Sequence, residues 1–142
     1  MSIDAIMVVD GKWIFAEDEE GKWTGAKGFI KNPIWDFPQD DGPEDRPIEY
    51  DFIKQTPKLL ESILDNLNIY CLLKEPREVL FDTKFDERGA IESIGIVKSL
   101  LVNLYGEETE HYGIHQDMQL LDFFKLGCEL QFAGKRPHVL IV

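Results

Sequence analysis

The side chains best suited to chemistry here are histidines, and two of them lie close together. His111 and His115 are four apart, with Glu110 and Asp117 alongside. On a helix that spacing brings two imidazoles onto one face, as zinc sites require. Gly113 stands between them, and no His-Glu-x-x-His frame is present. The segment therefore reads as a polar loop, with Asp117 capping the helix that follows. His111, His115 and Asp117 stay as the metal alternative. His138 opens the last apolar stretch and has no sequence neighbour that would make it a base.

The chain has 27 acidic side chains, so close carboxylate pairs arise by chance. A catalytic pair also needs environments that push its two pKa values apart. Glu17-Asp18-Glu19-Glu20 reads as a solvated turn. Asp40-Asp41-Gly42-Pro43-Glu44-Asp45 has carboxylates at calcium-site density, but it does not fit the EF-hand loop and its prolines hinder a wrap around an ion. Gly25-Ala26-Lys27-Gly28 lacks the spacing and the following Ser or Thr of a phosphate loop. No nucleophile elbow or dinucleotide fingerprint occurs. Cys71 and Cys128 read as buried small hydrophobes, and no Cys-x-x-Cys is present. No catalytic residue and no cofactor are assigned.

The tryptophans suggest binding instead. Trp13 is expected to pack a small sheet, whereas Trp23 and Trp35 sit beside acidic runs. A partly exposed indole ringed by carboxylates has the composition of a hot spot for a basic partner. The expected contact residues are Glu17, Asp18, Glu19, Glu20 and Trp23 near a hairpin tip. Trp35, Asp36, Asp40, Asp41, Glu44 and Asp45 join them from a loop.

The elements that would position these residues follow from pattern. Ile3 to Asp10 reads as a strand, Asp10-Gly11 as a hairpin turn, and Lys12 to Ala16 as the returning strand. Lys22-Trp23-Thr24 begins a third extended piece. From Asn32 to Pro47, four prolines and five acids against Arg46 alone predict a long irregular loop tacked down by aromatics. Thr56-Pro57 has the cap and first-turn chemistry of a helix that carries Leu59, Leu60, Ile63, Leu64 and Leu67 and ends near Asn68. Ile69 to Leu73 and Glu78 to Phe85 read as strands, and Asp86 to Gly89 as a turn. Residues Ala90 to Tyr105 fit helix and strand almost equally, with the β-branched residues tilting the second half toward strand. A helix after Asp117 is expected to end at Gly127. A short strand over Glu129 to Phe132 and a last strand over His138 to Val142 follow. The fold class expected is α+β: one domain over residues 1–142, an antiparallel sheet with an N-terminal meander, packed against two main helices.

Bulk properties narrow the function. With 15 basic side chains against 27 acidic ones, the net charge is −12. Such a chain repels phosphate backbones and anionic lipid surfaces, so neither nucleic acid nor membrane is expected as a partner. No apolar run approaches a membrane span and no secretory signal is visible, so a cytoplasmic protein is expected.

From Gly113 the chain runs Gly-Ile-His-Gln-Asp-Met-Gln-Leu-Leu-Asp-Phe-Phe-Lys-Leu-Gly-Cys-Glu-Leu-Gln-Phe to Phe132. This resembles the closing segment of a widespread bacterial domain family of unknown function: a Gly-Ile-His-like turn, a short helix with paired leucines, a Leu-Gly and a strand. The resemblance covers residues 112–132 and implies an α+β fold without catalytic residues. In overall profile the chain looks like bacterial immunity proteins, which are small acidic α+β domains that neutralise toxins, often basic nucleases. The expectation is an inhibitor that occludes a basic toxin or nuclease domain. A structural or assembly subunit of phage or secretion origin and a small metal-dependent enzyme are the alternatives.

Overall fold

The computed structural model describes residues 4–14, 28–39, 42, 46–71, 87–106 and 112–142, with the side chains at 66–71, 87–88 and 112 excepted. Strand β1 (Asp4–Val9) is the centre of an antiparallel sheet. The chain reverses through Asp10 and Gly11, both at positive φ (53° and 76°), so that Val9 faces Lys12 in β2 (Lys12–Trp13). Two left-handed residues give the hairpin turn whose twist matches that of its strands. β3 (Phe29–Lys31) takes over the same edge of β1, pairing Ile6 with Phe29 and Asp4 with Lys31. Gly28 lies against the backbone carbonyl of Ile14, where a Cβ could not fit. This close approach explains the glycine without any phosphate-loop role. β5 (His138–Ile141) covers the other edge of β1, and β4 (Ile48–Glu49) flanks β5.

Three helices among the described residues share one core with a face of this sheet. α1 (Phe52–Cys71) begins five residues earlier than Thr56-Pro57 suggested. Asp51 is its cap, with Oδ1 accepting the Lys54 N–H at 3.1 Å. Thr56 lies within the helix, fully buried, and donates its hydroxyl to the Phe52 carbonyl. The helix also runs through Asn68 to Cys71, so the strand expected from Ile69 is helical up to Cys71. α2 (Glu87–Tyr105) settles the ambiguous segment as helix throughout and includes Glu87 to Gly89, expected in a turn. Ala90, Ile94, Val97 and Leu101 recur at helical spacing and are all fully buried, so tertiary packing overrides the β-branched propensity. α3 (Tyr112–Phe132) is one continuous helix where a loop, a cap, a stop and a strand were expected. Asp117 is inside it, Gly127 is inside it, and the chain turns only at Gly134 (φ 80°). The segments Lys22 to Thr24 and Glu78 to Phe85 lie outside the described residues.

The fold is α+β, as expected, with three helices among the described residues. Ala5, Met7 and Val139 from the sheet meet Leu59, Leu60, Ile63, Ile94, Leu101, Leu120, Leu121 and Phe124 from the helices in one core. On the opposite face of the sheet Ile6, Val8 and Leu140 form a second, smaller apolar cluster with Phe29 packed against it. None of the helices among the described residues is long and apolar enough to cross a membrane.

Candidate functional site

The loop between β3 and β4 is anchored by alternation. From Ile34 to Phe37 burial alternates: Ile34 and Asp36 are exposed, Trp35 is half-buried and Phe37 is buried. Phe37 is buried at 3% exposure, its ring 5.4 Å from Tyr50, 5.5 Å from Phe123 and 6.2 Å from Phe124. Trp35 is half-buried. Its indole N–H donates to the Tyr50 hydroxyl at 2.8 Å and its ring meets Phe124 edge-on at 5.7 Å. Between and before these anchors, Asp36 is exposed and Ile34 is 55% exposed. Burial pushes the Tyr50 hydroxyl above its ordinary pKa, partly offset by the hydrogen bond from Trp35, so it stays a neutral acceptor. A cleft of about 290 Å³ opens beside the loop, lined by Asn32, Pro33, Trp35, Asp36, Phe37, Gln39 and Ile141.

Of the contact residues expected from sequence, Trp35 and Asp36 are brought together here. Trp35 belongs more to the aromatic core than to the surface, and the exposed apolar group of the loop is Ile34. Glu17, Asp18, Glu19, Glu20, Trp23, Asp40, Asp41, Glu44 and Asp45 lie outside the described residues. Trp13 departs from expectation: its side chain is 51% exposed, in register with Val8 on the sheet face away from the helices.

Of the residues held for the metal alternative, His115 and Asp117 do not converge. His115 is exposed and lies 3.3 Å from Gln119, whereas Asp117 is buried at 5% exposure. Two residues along a helix are roughly 200° apart, so these side chains leave in nearly opposite directions. His111 lies outside the described residues, among which no three His, Cys, Asp or Glu side chains gather as a metal site would require.

A second polar cluster went unread in the sequence because pairing across strands creates it. Glu49 faces His138 across β4 and β5, and both oxygens of Glu49 accept from Arg136, at 2.9 and 2.8 Å. This bidentate pairing holds the Glu49 carboxyl below its usual range and raises Arg136. His138 Nδ1 lies 2.8 Å from the Arg136 carbonyl; since a carbonyl can only accept, Nδ1 carries the proton. A cleft of about 460 Å³ adjoins this cluster, lined by Val8, Asp10, Gly11, Pro47, Arg136 and His138.

Compared with protein-family models, curated proteins and solved structures, the chain has no match in any of the three.

Proposed function

We propose that this chain is a protein-binding inhibitor of the immunity type, which occludes a basic toxin or nuclease domain with the face formed by the 32–47 loop. The observation that carries the reading is the alternation at Ile34 to Phe37. A segment without helix or strand is pinned to the core by two aromatic rings, while an aliphatic and a carboxylate side chain point to solvent. A preorganised loop loses little conformational freedom on binding. Covering Ile34 fully would contribute about 1.5–3 kcal/mol. A desolvated pair between Asp36 and a partner's Lys or Arg falls in a class measured at about 1.5–7 kcal/mol. The net charge of −12 supports the basic character of the partner, because it speeds encounter with a positively charged surface.

The test is capture of the partner from the native host by the tagged chain, with a salt gradient for elution, followed by titration of the purified pair. The reading expects a basic protein, bound one to one, whose own activity is suppressed. I34D and D36K should each weaken it roughly tenfold or more. E129K makes the same charge change on the exposed side of α3 and should leave affinity within about twofold at moderate salt. Equal effects of D36K and E129K would remove the loop from the interface.

A further inference from the structure

The cleft of about 290 Å³ beside the loop has a lining of one electrical sign. Its charged residue is Asp36, and Asn32 and Gln39 add side-chain amides whose oxygens can accept hydrogen bonds. Pro33, Trp35 and Ile141 supply apolar wall. Lys31, the nearest cation along the chain, faces Asp4 across β1 and β3 and does not line the cleft. The indole of Trp35 is held in place, because its N–H is committed to the Tyr50 hydroxyl and its ring rests edge-on against Phe124. The cleft at Arg136 and His138 lacks this polarity, since its lining carries a cation as well as Asp10.

We infer that this cleft is a subsite for one arginine side chain of the basic partner. The inference rests on the loop-face reading and names the group that the face takes. An arginine side chain is an aliphatic stem that ends in a flat cation with five N–H donors and no acceptor. The cleft offers a match for each part. Pro33 and Ile141 are apolar surface for the stem. The Trp35 indole is an aromatic surface for the guanidinium plane. Asp36 can take two parallel N–H bonds, and the amide oxygens of Asn32 and Gln39 can take others. Lysine would use the carboxylate alone, because its compact ammonium has three donors and no plane to lay on the indole. The volume is at the low end of ligand pockets, which run roughly 300–1,000 Å³, and suits one side chain rather than a cofactor. Ile34 is not part of the lining, so its apolar contact with the partner is separate from this subsite.

The test needs no partner. N-acetyl-arginine methylamide is titrated into the whole chain and followed by the indole and backbone N–H signals in NMR, with W35F assigning the Trp35 indole. The lysine and citrulline analogues are the controls, citrulline having nearly the same shape as arginine without the charge. The expected result is saturable arginine binding with a Kd of about 1–10 mM, tighter than lysine by about threefold or more, and no saturation with citrulline. The shifts should centre on the Trp35 indole and the amides of residues 32–39 and 141, with those of 136 and 138 unmoved. D36N should weaken arginine binding about fivefold or more. I34A should leave it within about twofold while weakening the captured partner. Arginine binding that survives D36N unchanged, that matches lysine, or that shifts signals evenly over the acidic surface would overturn the inference. The two readings can fail separately. A basic partner that D36K releases, with no saturable arginine binding, would sink the subsite and leave the loop face standing. Saturable arginine binding at the cleft, with no partner captured, would support the subsite and count against the inhibitor reading.

Discussion

Single residues in this fold are often explained by one contact across the core. Gly127 lies in the middle of α3, and a Cβ there would run into the ring of Phe52. That ring is fully buried and is hemmed in by Tyr50, Phe123 and Phe124, so it has nowhere to go. Gly95, in the middle of α2, has nothing near its missing Cβ. The two glycines should respond oppositely to alanine. G127A should lose about 1–3 kcal/mol to overpacking, although alanine is the better helix former, and G95A should gain up to about 1 kcal/mol. Urea denaturation of both variants reads the two signs. Cys128 makes a similar point. It is fully buried against the Thr56 hydroxyl, and burial pushes its thiol up to about 11. Its folded pKa lies above the unfolded one, so its contribution to stability is present below about pH 9 and is lost as pH rises toward 11. In native protein at pH 8, peptide mapping should find Cys128 unalkylated, with modification appearing only as the chain unfolds.

At the scale of elements, the boundaries were the hardest part to read from sequence. The first hairpin was legible because Asp10-Gly11 is a local signal that the turn itself satisfies. The start of α1 was misread because two cap signals stand in series. Thr56-Pro57 has the better local chemistry, but Asp51 wins through a long-range partner. Gln131 donates its amide to Asp51 Oδ1 at 3.0 Å and accepts the Ile53 N–H at 3.0 Å, tying the start of α1 to the end of α3. D51A removes the cap and half of that tie, and should cost about 1–2 kcal/mol in the same denaturation assay. α2 was undecided because its apolar residues satisfy two periods, and only burial against α1 and α3 chooses between them. In α3, Asp117 and Gly127 imitate the punctuation of a loop–helix–strand unit. Their actual roles, a buried side chain and a seat for Phe52, depend on helices distant in sequence. The candidate site was partly legible for the same reason. Trp35 and Asp36 were singled out by composition, but the exposure of Ile34 depends on how the chain, bent at Ile34 and Trp35, lies across the core.

The whole molecule carries a strong negative charge. The 32–47 loop presents an aliphatic group and a carboxylate, Ile34 and Asp36, on an aromatic foundation. Association of a basic partner through this face should be favoured by low salt. The central claim is that the loop face binds a basic protein partner. Its most direct test is the affinity of the captured partner for wild type, D36K and E129K across a salt series. A specific loop contact predicts affinity that falls with salt in all three proteins, and a loss of roughly tenfold or more that is confined to D36K at every salt. Affinity that ignores salt, or D36K behaving like E129K, would contradict it.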